Sequence, residues 1–169
     1  KLNLLTGENF IVPTKSQWLR AAKGGNKSQG YKYSGSNTVG DVAWYTKNSS
    51  DKTHEVKTKS PNELGIYDMS GNVAEWTSST YDPTLNVKSH DMNPTNTYMA
   101  CESDPAELQR KVVKGGSWKD ISYYIQCGTR VYEYQGECRS YIGFRCVRSC
   151  VTELMPTGKG PKKIVLKKK

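Results

Sequence analysis

Long apolar runs are missing from this 169-residue chain, and no stretch approaches the roughly 20 apolar residues that a membrane helix needs. Histidine occurs only at His54 and His90, with no His-x-x-x-His spacing, which leaves little for an imidazole-rich iron centre. Both histidines read as exposed loop residues. No C-x-x-C occurs, and Cys146 and Cys150 have no His or Cys pair to complete a zinc site. Phenylalanine is scarce and hydrophobic residues make up only 35% of the chain, so an aliphatic-rich core is excluded. Aromatic mass comes instead from 11 Tyr and 4 Trp, set among 15 Gly. Such a mixture suits an irregular, loop-rich domain in which rings are buried and their polar tips stay bonded. The length fits one domain with a modest core. No secretory leader or lipidation box is visible. The chain opens at Lys1 on what reads as mid-domain sequence, so an upstream segment is expected.

The net charge of +9 belongs mostly to the end of the chain. Lys159, Lys162, Lys163, Lys167, Lys168 and Lys169 lie in a stretch without acids, and taking those six charges away leaves +3 on the body. Such a tail can attract anions but is more often a solvated extension. The body lacks the basic-aromatic interleaving of a nucleic-acid platform, so no nucleic acid is expected as partner. Cys101, Cys127, Cys138, Cys146 and Cys150 fit either reduced thiols or one or two disulfides in an oxidising compartment. We expect the disulfides, and the odd count leaves at least one thiol over.

The clearest helix starts at Thr14, where Thr14 and Gln17 have capping-box spacing after Pro13. Trp18, Leu19, Ala21 and Ala22 give it an apolar face, and Gly24-Gly25 ends it. Residues 41–45 read as a short buried segment, and residues 77–103 as a long polar excursion. Asp104-Pro105 with Glu107 predicts a second helix of one or two turns. Strands are expected at residues 111–118, 128–134 and 141–148, the last alternating Ile142, Phe144 and Cys146 on one face. One early helix, late strands and many loops give an α+β class with antiparallel pairing.

The most informative stretch runs from Asp68 to Trp76. Asp68 and Glu75 flank a tight Gly71-Asn72 turn, and Trp76 can pin the turn to a core. Two carboxylates and the carbonyls between them could supply a hard cation with oxygen ligands, although a solvated surface turn would read the same way.

Several blocks carry a resemblance. They are Pro13-Thr14 with Trp18 and Ala21-Ala22, Gly30-Tyr31-Lys32-Tyr33, residues 62–76, Val113-Lys114-Gly115-Gly116-Ser117-Trp118, Arg130, and Gly143-Phe144-Arg145. Over residues 5–148 this series resembles the formylglycine-generating-enzyme (sulfatase-modifying factor) family. The resemblance implies an irregular C-type-lectin-like fold with little regular secondary structure over residues 1–150, with residues 151–169 as a basic tail. It also implies one structural calcium, held by the side chains of Asp68 and Glu75 and the carbonyls of Gly71 and Val73. No second calcium site is matched in residues 41–56.

The family's enzymes hold copper with two cysteines. Their first position falls on Asp120 here, and the second falls within residues 121–125, which contain no cysteine. Thiolates select copper(I), and a carboxylate cannot replace them. A groove tryptophan of the enzymes is replaced by Ala74. Ser117 and Arg130 match groove positions but read better as a structural hydroxyl and a buried ion pair. Cys127 and Cys146 match cysteines that form structural disulfides in the eukaryotic enzymes.

The second half is most similar to the K component (GldK/PorK-like) of the gliding-motility and type IX secretion lipoproteins of Bacteroidetes. The matching blocks include residues 71–77, Lys111 to Asp120, Gly128-Thr129-Arg130 and Ser140 to Arg148. That resemblance implies a non-catalytic, outer-membrane-attached periplasmic protein that forms a ring with an N component (GldN/PorN-like). The lipid anchor would lie outside this sequence. Two alternatives remain: a formylglycine-generating-type oxidase or related metal-dependent oxygenase, and a ligand-displaying module of the kind diversified by retroelements.

Overall fold

A computed structural model describes residues 2–84 and 98–148. The expected tail, Cys150, His90 and the middle of the polar excursion lie outside the described residues. The element order is α1 (Leu2–Thr6), β1 (Phe10–Ile11), α2 (Lys15–Ala22), a 3-10 turn (Gly25–Lys27), α3 (Val39–Val42), β2 (Ala74–Thr80), β3 (Arg110–Lys114), β4 (Val131–Tyr134), β5 (Ile142–Gly143) and β6 (Val147–Arg148). Four strands form one sheet in the order β4-β3-β2-β5, and β1 pairs with β6 in a separate two-stranded ribbon. The domain is α+β, but its main sheet is mixed: β2 runs antiparallel to β3 and parallel to β5.

Helix α2 forms where local chemistry places it. Thr14 Oγ1 accepts from the Gln17 amide while the Gln17 side chain accepts from the Thr14 amide, which satisfies two donors at the helix start. The chain leaves the helix through Gly24 at φ 84°. Trp18 and Ala22 are buried with Met69 and Cys127, and Leu19, Ala21 and Ile66 pack around them. A second cluster joins Tyr33, Val42, Ala43 and Ile125. Together these make a small apolar core. Between the two clusters the fold is held by buried polar side chains that do what ladders do elsewhere. Asn62 Nδ2 donates to Ala21 O at 2.8 Å and to Ser34 Oγ at 3.0 Å, while its Oδ1 accepts from the amides of Leu64 and Ile66. Ser70 Oγ accepts from Ser34 N and donates to Ile125 O, both at 3.1 Å. These side chains give buried loop backbone hydrogen-bond partners that a ladder would otherwise supply.

Several expectations are corrected. Residues 77–80 belong to the central strand β2 rather than to a loop, because Thr77, Ser79 and Thr80 are buried and bonded; Thr77 Oγ1 donates to Val112 O at 2.8 Å. The polar excursion therefore begins later. Residues 105–109 make a turn and no helix, since Asp104 Oδ2 accepts from Cys101 N behind it instead of capping the segment ahead. The expected strand at 141–148 breaks into β5 and β6, and Phe144 and Cys146 are exposed. Trp76 is only partly buried; Trp18 is the indole that anchors the core. His54 is not a loose loop residue: its ring stacks on Trp44 at 3.8 Å and lies 2.7 Å from Ser49 O. Cys101, Cys127, Cys138 and Cys146 are free thiols, so no disulfide links the described residues.

Lys114 is the most unusual core residue. It is 2% exposed, donates to the carbonyls of Cys127 (2.7 Å) and Thr129, and lies over the Trp18 ring. Burial pushes its amine down to about 8. An unfolded lysine titrates near ~10.4, so between these values the unfolded chain binds more protons and stability rises with pH. The ammonium penalty is thus present at neutral pH and relieved as pH climbs through the window. The stability of the wild type relative to Lys114→Met should therefore increase by about 2–3 kcal/mol between pH 7 and 10.5. Paired urea titrations check this; a pH-independent difference would refute it.

Candidate functional site

The run from Asp68 to Trp76 threads between all the other parts of the domain. Asp68, Gly71 and Asn72 take left-handed backbone conformations with φ of 55°, 76° and 63°. A Cβ on Gly71 would lie 2.3 Å from Trp44 O, so only glycine passes there. The main chain is tied on each side: Gly71 N donates to Gly115 O, Asn72 N to Trp44 O, Trp118 N to Asn72 O and Ala74 N to Tyr141 O. The Asn72 side chain pairs with both backbone groups of His54, at 3.0 and 3.1 Å. This turn is a structural junction.

Glu75 closes the junction. Its carboxylate is 7% exposed, and Arg145 meets it bidentately, with Nη2 2.5 Å from Oε1 and Nε 2.6 Å from Oε2. Trp18 Nε1 donates to the same Oε2 at 2.7 Å. The Arg145 Nη2 also reaches the carbonyls of Tyr67 (3.2 Å) and Asp68 (3.3 Å). Asp68 takes an amide hydrogen from Lys57 on Oδ2 at 2.8 Å.

The four residues expected to hold calcium are only partly brought together. Asp68, Val73 and Glu75 line one depression of about 480 Å³ beside Arg145 and Phe144, whereas Gly71 does not line it. Arg145 occupies one side of Glu75, but Oε1 carries a single hydrogen bond among the described residues and Asp68 Oδ1 none. A carboxylate oxygen has two lone pairs, so the donor chemistry still fits a hard cation with Arg145 in place.

A second depression, of about 240 Å³, lies on the main sheet. Ala74, Val113, Val131 and Ile142 form its floor, with Tyr124, Tyr132, Tyr141, Lys119, Asp120 and Glu133 around it. No cysteine or histidine lines it. Asp120 is built into its own turn: Oδ2 accepts from Ser117 N at 2.8 Å and Ser117 Oγ at 2.6 Å, while Asp120 N donates to Ser117 O. A Cβ on Gly116 would approach Ile125 Cδ1 and Tyr124 O at 2.8 Å, and this tight turn seats Ser117 in the buried position it holds. Arg130 meets the carbonyls of Asp82 and Pro83 and the Tyr81 ring, in place of the expected ion pair. The thiol of Cys127, the cysteine nearest Ser117 in sequence, is buried in the core, and burial pushes its pKa up. Arg145 and Trp18 as partners of Glu75 were not foreseen from the sequence. The only signal was the shared presence of Gly143-Phe144-Arg145 and Glu75 among the blocks.

The family model described as "Sulfatase-modifying factor enzyme 1-like domain" matches residues 6–150. The chain belongs to this family. It is 37% identical over 126 residues to the chaperone protein LppX of Paenibacillus barcinonensis, covering 64% of this chain and 38% of that protein. It is 29% identical over 153 residues to the inactive C-alpha-formylglycine-generating enzyme 2 of Mus musculus, covering 82% of this chain and 42% of that protein. Among solved structures, Treponema denticola variable protein 1 superposes with a TM-score of 0.66 at 38% identity, covering 82% of this chain and 47% of that one. The chain therefore spans less than half the length of each. The fold is the formylglycine-generating-enzyme type, with a mixed sheet and little regular secondary structure.

The Glu75–Arg145 pair makes a direct prediction. Arg145→Met strands a buried carboxylate and should cost about 3–5 kcal/mol, whereas the double variant Glu75→Gln/Arg145→Met should recover part of that loss. Denaturant unfolding of the four proteins measures the coupling, and strictly additive losses would show that the pair does not act as a unit.

Proposed function

We propose that this domain is a non-catalytic member of the family that holds protein partners, and that its setting is the type IX secretion and gliding-motility machinery. In that reading it belongs to a periplasmic ring built with an N component (GldN/PorN-like), attached to the outer membrane by a lipid anchor outside this sequence. One observation carries the non-catalytic part. At the position that would hold a copper thiolate stands Asp120, whose carboxylate is consumed by Ser117, in a groove lined by neither thiol nor imidazole. Copper(I) needs soft ligands, and this groove offers oxygen and ammonium groups. Similarity to a protein named as an inactive formylglycine-generating enzyme supports the same direction. The ring setting rests on the block resemblance in residues 71–148.

A second reading, a ligand-displaying module, is favoured by the 38% identity to a protein named as a variable protein. In both readings the fold supplies a rigid frame and the loops supply the contacts.

Affinity purification of the native protein tests the ring. Ring subunits should co-purify, and changes in residues 127–141 should weaken their retention. Recovery of the protein alone would overturn that setting. Bound copper with oxygen uptake on a cysteine peptide would overturn the non-catalytic reading.

We also propose one structural calcium ion at Asp68, Glu75 and the carbonyls of Gly71 and Val73, where it would cross-link the junction to its flanks. Binding only to the folded state raises stability by mass action. Excess EGTA should then lower the melting temperature by several degrees (about 2–4 °C for each kcal/mol in a domain of this size), and Asp68→Ala should abolish that shift. A melting temperature indifferent to EGTA and calcium would remove the ion.

A further inference from the structure

Away from the Asp68–Trp76 junction, at the open end of the sheet, five side chains from three segments form a continuous stack. The Arg130 guanidinium lies 5.2 Å from the Tyr81 ring, and Tyr81 meets Tyr132 at 4.8 Å. Arg110 lies 4.8 Å over Tyr132 and 5.9 Å over Tyr134, and the two tyrosines meet edge to face. Strand register explains why they align. Arg110 pairs with Tyr134 and Val112 with Tyr132, so Arg110, Tyr132 and Tyr134 project from one face of β3 and β4. On that face Val112 and Lys114 are buried, but Tyr132 is 42% exposed.

The stack is electrically unbalanced. Lys15 lies near Arg130, and burial first, then the Arg130 charge, pushes the Lys15 amine down. Among the described residues, the one carboxylate within ion-pair distance of Lys15, Arg110, Lys111 or Arg130 is Glu107, which is 70% exposed and 3.6 Å from Arg110. The Asp82 carboxylate close by accepts from Thr84. The Arg110 Nε is buried without an acceptor, so ring stacking rather than hydrogen bonding holds this guanidinium in place. Arg130 gives one hydrogen bond from each Nη to the carbonyls of Asp82 and Pro83, and among the described residues Arg110 Nη2 faces only the exposed Glu107; arginine and tyrosine are among the residues that dominate protein interfaces.

We propose that the ladder Arg130–Tyr81–Tyr132–Arg110–Tyr134 is a docking surface for an acidic polypeptide segment, whose carboxylates are drawn to the Arg110 and Arg130 charges and displace Glu107 from Arg110. The inference deepens the partner-holding reading and rests on it. Ring geometry argues for a peptide over a nucleic acid: the tyrosines are tilted by 45° and 86° and their faces are covered by guanidinium groups or by each other, leaving no bare parallel platform for bases.

The test is binding of a fluorescein-labelled poly-glutamate peptide to the full chain, read by anisotropy. Arg110→Met and Tyr132→Ala should each weaken binding by about tenfold, and Tyr132→Phe should keep it. Lys163→Met removes one tail charge and serves as the electrostatic control; it should have little effect. Equal losses for Lys163→Met and Arg110→Met would overturn the ladder in favour of unspecific charge attraction. Tighter binding of a single-stranded oligonucleotide, lost in the same ladder variants, would overturn the acidic-peptide assignment. Tyr132 is exposed, so its variants should keep the wild-type melting temperature, and an unchanged affinity in folded Tyr132→Ala would also refute the proposal. Poly-glutamate binding that depends on the ladder, when no ring subunit co-purifies, would sink the secretion-ring setting while sustaining the ladder.

Discussion

A buried carboxylate with three donors organises this domain. Glu75 sits on the central strand, receives the Trp18 indole from α2, and receives both arms of Arg145 from the link between β5 and β6. Isolated burial of such a charge would be costly, and burial as part of a pair tolerates it only when every lone pair facing the core is used. The surrounding turn provides for that. Its left-handed residues bend the chain so that Arg145 also meets the carbonyls of Tyr67 and Asp68. Apolar burial is modest in this molecule, and geometry is specified by polar contacts to an unusual degree. Asn62, Ser70 and Asn72 each tie loop segments distant in sequence, so a small set of short side chains does what long ladders do in sheet-rich folds.

That division of labour bears on what the groove is for. In a fold fixed mainly by interior hydrogen bonds, the residues at the rim can vary without disturbing the frame. Asp120 does not vary freely in this sense, because its carboxylate completes the Ser117 turn. The tyrosines at positions 124, 132 and 141 are different: they are at least partly accessible and carry no core packing. A fold of this kind can carry different sites on one rigid frame, so the frame by itself does not fix the use to which the groove is put.

Local signals in the sequence were faithful only where no distant residue competed for the same groups. The start of α2 was legible because Thr14 and Gln17 satisfy each other within one turn. The fold class followed from the same kind of evidence together with the family blocks. The strand Ala74–Thr80 was hidden because AEWTSST looks like a polar loop; Thr77, Ser79 and Thr80 are buried with partners at Val112, Lys15 and Tyr98, all distant in sequence. The stretch from Tyr141 onward alternates like one strand but is interrupted where Arg145 turns inward to Glu75, an interaction spanning seventy positions. The apparent helix start at Asp104-Pro105 failed because its cap residue is occupied by Cys101. Asp68, Val73 and Glu75, three of the residues named for calcium, line one depression with Arg145, and the sequence held no hint that an arginine shares it.

The partners of Glu75 lie 57 residues before it and 70 residues after it along the chain. Closing so wide a loop carries an entropic cost that local turns cannot offset in advance, and topologies dominated by such distant pairings assemble slowly. A ribosome must therefore release Arg145 before the central strand can settle. Until then the nascent chain carries the Glu75 charge on a surface that the finished domain buries, an arrangement that favours late, all-at-once closure.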